Sequence, residues 1–330
     1  MSEVRRIDAS EYTPPTDPRA VAEAGVDLAV DLAGMKLPNP ILTASGCFAA
    51  GAEMDRFYDV TELGAIVVKS VTLEPRQGLP TPRMAETPSG MLNAIGLQNP
   101  GIDAWLTKDL PWLQSKGARV VVSIAGRSVD DFRAVARKLR GKGGIAAIEV
   151  NLSCPNVEER GMVFACSPTD SAEVITAVRR EADVPVLGKL TSDVTDIVAI
   201  ARAVVDAGAN GLTLINTLLG MAIDPDTGKP EIYNTYAGLS GPAIRPVALR
   251  NVHQVHTALP DVPILGCGGI RTVTDVVQFL RAGASAVSVG TATFVDPFVG
   301  QRLIKELRSW LAERGLGSAR ELIGTVEPWS

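Results

Sequence analysis

An apolar run beginning at Ala147 ends in Asn151, Cys154 and Asn156, two amides bracketing a thiol. Each amide offers a donor and an acceptor, and a thiolate is a base or a nucleophile. Such a trio can hold a polar ring and move one of its protons. A plainer reading also exists: Asn151 closes a strand, Asn156 makes an Asx-turn after Pro155, and Cys154 is a small buried hydrophobe. Two other apolar runs end in a cation, Lys69 after Val67-Val68 and Lys189 after Leu187-Gly188. A charge there is costly unless a salt bridge or an anionic ligand pairs it. Two more runs end in glycine, as Cys267-Gly268-Gly269-Ile270 and Val289-Gly290-Thr291. Glycines at those points either make tight turns or let backbone N–H groups approach a phosphate.

The elements that must position these residues follow from alternation. Short β-branched runs at Pro40–Ala44, Ala65–Ser70, Arg119–Ile124, Ala146–Leu152, Pro185–Leu190, Gly211–Asn216, Pro263–Cys267 and Ala286–Gly290 predict eight strands. Amphipathic stretches between them predict helices, among them Ser128–Arg140, Ser171–Glu181, Asp193–Ala207, Pro246–Ala258, Thr272–Ala282 and Pro297–Arg314. Nearly continuous apolar strands alternating with helices indicate a parallel sheet covered on its outer face. Eight such units favour an α/β fold of the (β/α)8 TIM-barrel type, a single domain over residues 26–330 with residues 1–25 as a flexible arm. Long connections follow the second, fourth and sixth strands, at Val71–Gly101, Ser153–Thr169 and Thr217–Arg245. All three fall on the C-terminal face, where barrel active sites are assembled, and could cover a ligand. These glycines follow the seventh and eighth strands, the usual phosphate position of such barrels. With no G-x-G-x-x-G after a strand and no G-x-x-x-x-G-K-[ST], neither a dinucleotide fold nor a P-loop is encoded. A mononucleotide such as FMN is the natural occupant, and the negative N1–C2=O edge of its reduced ring would pair the lysines.

Composition narrows the classes. A net charge of -5 over 330 residues, with basic residues in no uninterrupted block longer than pairs such as Arg5-Arg6 and Arg179-Arg180, argues against nucleic acid. The polar, Pro-interrupted start has neither a signal-peptide core nor a membrane-anchoring face, which predicts a cytoplasmic protein with no membrane attachment. Cys47, Cys154, Cys166 and Cys267 match neither zinc nor iron–sulfur spacing, and no metal is expected. His253 and His256, the only histidines, are read as solvated or capping, and Cys166 as a passive loop thiol.

Four segments together carry a resemblance: Asn93-Ala94-Ile95-Gly96-Leu97-Gln98-Asn99-Pro100-Gly101, Asn151-Leu152-Ser153-Cys154-Pro155-Asn156, Leu214-Ile215-Asn216-Thr217 and Gly238-Leu239-Ser240-Gly241-Pro242. They resemble the FMN-containing dihydroorotate dehydrogenases of pyrimidine biosynthesis, from about Val26 to Leu311. Cysteine at 154, where membrane-linked members carry serine, resembles the soluble class 1. Thr43-Ala44-Ser45-Gly46, Leu73-Glu74-Pro75-Arg76 and Asn216-Thr217-Leu218-Leu219-Gly220-Met221-Ala222 resemble its subgroup 1B, which works with a separate electron-transfer subunit.

The resemblance implies oxidation of (S)-dihydroorotate to orotate with Cys154 as the base. It implies that Lys69, Asn93, Ala94, Ile95, Gly96, Leu97, Asn151, Asn156, Asn216 and Thr217 hold the substrate. Ser45, Lys69, Ser70, Ser123, Asn151, Lys189, Ile215, Gly241, Gly268, Gly269, Gly290 and Thr291 would contact FMN. Two departures stand out: Ser123 occupies a place where the family usually has asparagine, and Ala237 replaces the first glycine of Gly-Gly-Leu-Ser-Gly. For partners it implies a homodimer that joins a subunit carrying FAD and a [2Fe–2S] cluster, as a heterotetramer passing electrons to NAD. A fumarate-linked homodimer, another FMN-dependent pyrimidine-ring oxidoreductase and a non-catalytic phosphate-binding barrel are the alternatives.

Overall fold

The computed structural model describes residues 25–152 and 166–329. The arm and the segment holding Cys154 and Asn156 therefore lie outside the described residues. Fourteen strands are found among those described, and eight of them form one parallel sheet. In chain order these eight are β3 (Ile41–Thr43), β4 (Ile66–Val67), β7 (Val120–Ile124), β8 (Ile145–Asn151), β9 (Val186–Leu190), β10 (Gly211–Leu214), β13 (Ile264–Cys267) and β14 (Ala286–Val289). Each pairs with its sequence neighbour in the barrel, and β14 returns to β3. The remaining seam, between β3 and β4, closes through a bridge from Leu42 to Ala65 and through the Thr43 side chain. The Thr43 hydroxyl accepts from Val67 N at 2.8 Å and donates to Val67 O at 3.1 Å, standing in for a ladder bond. The expected TIM barrel is thus the observed fold.

Helices cover the outside: α1 (Ile102–Lys116), α2 (Val129–Leu139), α3 (Pro168–Glu181), α4 (Ile197–Asp206), α5 (Arg245–Ala258), α6 (Val273–Arg281), the short α7 (Ala292–Val295) and α8 (Val299–Ala312). Their apolar faces join one continuous core with the outward-facing strand residues, anchored by Phe132 of α2 and Phe279 of α6, both fully buried. Burying a side chain of that size stabilises the fold by about 1.5–3 kcal/mol. Two helix starts differ from the sequence expectation. The α3 helix begins at Pro168, because Ser167 accepts from Asp170 N and Pro168 suits the first helical turn; Ser171 is inside it and buried. The α4 helix begins after Asp196, whose carboxylate accepts from Val198 N and Ala199 N. Asp193 instead accepts from Leu219 N at 2.9 Å, tying two loops of the C-terminal face together.

The hairpin of β1 (Val30–Leu32) and β2 (Met35–Leu37) buries Val30, Leu32, Met35 and Leu37. Ala33 at its turn lies against Gly211 at the start of β10, so the hairpin plugs the N-terminal mouth of the barrel. At the opposite mouth the excursions after β4 and β10 are ordered strands. They supply β5 (Met84–Thr87), β6 (Gly90–Asn93), β11 (Leu218–Gly220) and β12 (Ala237–Ser240), which pair antiparallel in the order β11-β12-β6-β5. This second sheet roofs the C-terminal face, around a small apolar cluster of Leu92, Ala94, Ile232 and Ala237.

Candidate active site

A cavity of about 820 Å³ lies between the C-terminal ends of the barrel strands and the roofing sheet. That volume suits a drug-sized or mononucleotide ligand. Among the described residues its wall includes Ser45, Lys69, Ser70, Asn93, Ala94, Ile95, Gly96, Leu97, Asn151, Lys189, Ile215, Asn216, Thr217, Gly241, Gly268, Gly269, Gly290 and Thr291. The barrel therefore gathers into one space nearly every residue singled out in the sequence.

The polar part of the wall is a connected network. Asn216 Nδ2 donates to Asn151 Oδ1 at 3.2 Å, Asn151 Nδ2 reaches Ser70 Oγ at 3.5 Å, and Ser70 Oγ lies 2.9 Å from Ser123 Oγ. The Asn216 carbonyl oxygen also accepts from its neighbour Thr217 N at 2.8 Å, which sets the amide's orientation. From the roof, Asn93 Nδ2 donates to Gly238 O at 3.3 Å across the β6–β12 pair. Ser123 is the exception among the expected contacts. It is fully buried behind Ser70 and is not part of the wall.

At the other end of the cavity the glycines form a bare backbone cradle. Gly268 and Gly269 have φ of 129° and 76°, which L side chains rarely adopt. A Cβ on Gly269 would stand 2.8 Å from both Arg245 Cβ and Gly241 O. The loop is held from behind by Asp275, whose Oδ2 accepts from Arg271 N at 2.9 Å and Thr272 N at 2.8 Å. The other oxygen of Asp275 pairs with Arg245. Thr291 Oγ1 donates to Ser240 Oγ at 2.7 Å or accepts from it, joining the β14 end to the roof. Backbone N–H groups left uncovered by side chains suit a phosphate, and Arg271 lines the cavity beside them.

The lysines differ in their surroundings. Lys69 is half-buried, with its backbone N–H on Ala49 O at 2.9 Å. Lys189 is only 4% exposed; its Nζ donates to Ser45 Oγ at 3.0 Å and lies 3.6 Å from Glu149 Oε1. Burial pulls the Lys189 ammonium down, but the charge of Glu149 is the strongest influence opposing it, and its pKa stays above the ordinary lysine value. Burial pushes the Cys47 thiol up to about 11 and raises that of Cys267, so both are neutral near pH 7.

Sequence reasoning missed Glu149, Arg245 and Asp275. The signal for Glu149 was present: it is a charge inside an apolar strand, two residues before Asn151 and so on the same face. Ala237 is explained by its place on β12, where the extended backbone accepts a Cβ and the methyl group joins the roof cluster. The next position has no such room, since a Cβ on Gly238 would collide with Thr217 Oγ1. Of the histidines, His253 is exposed, while His256 is partly buried and packs against Gly283 and Gly324. Cys166 is exposed. Among the described residues, no group of three His, Cys, Asp or Glu is placed to hold a metal, and no helix is long and apolar enough to cross a membrane.

The family profile described as "Dihydroorotate dehydrogenase" matches residues 27–311. A Geobacillus kaustophilus protein is 51% identical over 297 residues, covering 90% of this chain and 95% of its own length. A Listeria monocytogenes protein is 52% identical over 295 residues, covering 89% and 97%. One from Anoxybacillus flavithermus is 50% identical over 297 residues, covering 90% and 95%. Each of the three is named dihydroorotate dehydrogenase B (NAD(+)), catalytic subunit.

Proposed function

This chain belongs to the dihydroorotate dehydrogenase family, and from that premise we propose that it oxidises (S)-dihydroorotate to orotate in pyrimidine biosynthesis, as the FMN-binding catalytic subunit of an NAD-linked enzyme. The observation that carries the reading is the single cavity joining a bare glycine cradle at the β13 and β14 ends to an amide and lysine cluster at the β4, β8 and β10 ends.

The residues suit FMN. Gly268, Gly269, Gly290 and Thr291 would hold its phosphate, with Arg245 behind them, while Ser45, Lys189 and Ile215 would border the ring. When bound, FMN supplies the hydride acceptor that the side chains of this chain lack. Asn93, Asn151, Asn216 and Thr217 line the space left for a dihydropyrimidine, whose alternating N–H and C=O edge matches amide groups. Lys69 offsets the substrate carboxylate and the charge that develops on oxidation. By the family resemblance Cys154 takes the proton from substrate C5, and Asn156 completes the amide set; both lie outside the described residues. A thiol of pKa ~8.5 is mostly protonated at neutral pH, which makes this step favour alkaline conditions.

The relatives' names speak of a catalytic subunit and NAD(+), which supports a separate partner that collects the electrons. The reading includes a homodimer of this chain joined to a subunit carrying FAD and a [2Fe–2S] cluster, in the cytoplasm. Anaerobic titration of the purified, FMN-loaded chain tests it. Dihydroorotate should bleach the flavin, and NAD should be reduced only once the partner is added. No bleaching would refute the activity, and rapid turnover with fumarate by the chain alone would refute the two-subunit arrangement.

A further inference from the structure

The Glu149 carboxylate is completely buried inside the barrel, and neither of its oxygens accepts a hydrogen bond among the described residues. The neighbouring barrel strands offer it only one charge, the Lys189 ammonium at 3.6 Å. Thr213, which pairs with Lys189 across β9 and β10, is also buried with its hydroxyl unpartnered. A buried carboxylate left without hydrogen bonds is an expensive way to stabilise a fold, because apolar residues of like volume do as well or better. Lys189, by contrast, has a place where its charge is used: it forms part of the cavity wall and is tethered there by Ser45.

We propose that Glu149 is a positioning residue that keeps Lys189 a fixed cation in the wall of the FMN site, so that the lysine neither gains nor loses a proton when the flavin is reduced. The inference rests on the FMN reading above. The groups facing Lys189 are Glu149 from β8, Cys267 from β13, Cys47 from the loop after β3 and, across Cys47, Lys69 from the end of β4. Both thiols are neutral near pH 7 because burial raises them, and Lys69 is itself a cation. Glu149 is therefore the one anion among them, and without it desolvation would decide the lysine's protonation. Buried lysines with no counter-charge titrate as low as about pH 5–6. In that case the ammonium would lose its proton while the flavin is oxidised and regain one when reduction brings negative charge. Reduction would then take up an additional proton from solvent, and the flavin potential would fall more steeply with pH.

The test is the midpoint potential of bound FMN between pH 6 and 9, from anaerobic dithionite titration with a reference dye, on FMN-loaded protein. Glu149→Gln should give a steeper potential-against-pH line than wild type. Glu149→Asp, which keeps the charge but draws it back, should steepen it less. The double variant Glu149→Gln with Lys189→Met should return to the wild-type slope at a lower potential, and it leaves no buried charge unpaired if the single variant folds poorly. A Glu149→Gln line parallel to wild type, or a double variant as steep as Glu149→Gln, would overturn the inference. Wild type is measured in the same series, so a failure of the FMN assignment shows there and a failure of this inference shows only between variants.

Discussion

Replacing Gly269 by alanine separates the cradle's role in ligand binding from its role in the fold. The backbone φ of 76° alone costs an alanine about 1–2 kcal/mol. The added Cβ would also stand 2.8 Å from Arg245 Cβ and Gly241 O, so the loop must shift away from Arg245. A shift of a few tenths of an ångström would misalign the backbone N–H groups proposed to hold the FMN phosphate. Each hydrogen bond to a charged group contributes roughly 1.5–3 kcal/mol, so losing one weakens FMN binding by about 10–100-fold. Gly117→Ala is the control. Its φ of 68° carries the same backbone cost, but nothing lies within 4 Å of the new Cβ and the site is the C-terminal cap of α1, far from the cavity. Apo-protein titrated with FMN and followed by flavin fluorescence gives the dissociation constants; urea unfolding gives the stabilities. Both variants should lose stability, and only Gly269→Ala should lose affinity. If Gly269→Ala bound FMN within about threefold of wild type, the cradle would not be the phosphate site.

Other consequences are equally direct. Cys154→Ser should keep FMN but slow its anaerobic reduction by dihydroorotate by about 10²–10⁴-fold near neutral pH, with partial recovery at high pH, as read by stopped flow. Ser123→Ala should cost about 0.5–1.5 kcal/mol of stability by removing the Ser70 partner, with the FMN dissociation constant unchanged, because Ser123 lies behind the wall. His256, wedged against Gly283 and Gly324, has its pKa lowered by burial and then by His253. The unfolded chain therefore takes up that proton first, and stability should fall as pH drops below the ordinary histidine value of 6.5. Urea midpoints at pH 7.5 and about 5.5 should differ less in His256→Gln than in wild type.

The barrel was legible in the chain because its signals are local. A strand buried on both faces must be apolar almost throughout, so Val120–Ile124 and Val186–Leu190 announce themselves, and several helix starts carry a side chain that accepts a free N–H group, as Ser128 and Thr272 do. Lys69, Asn151 and Lys189 could be picked out for the same reason, as polar groups at the tips of apolar strands. Which caps operate was less legible: Ser167 and Asp196 compete with nearby Ser171 and Asp193, and the winner depends on where the chain enters the barrel wall.

Pairing over long separations was not written in any local pattern. The roof joins β6 to β12 across 145 residues, as the Asn93 to Gly238 bond shows. Glu149 and Lys189 are each a lone charge in an apolar strand, and their partnership exists only because β8 and β9 are neighbours in a fixed register. Ser123 and Ser70 look equivalent as serines in apolar strands. Closure of the barrel turns one toward the cavity and sets the other behind it, because curvature and register, which arise only once all eight strands meet, decide which inward-facing side chains reach the ligand.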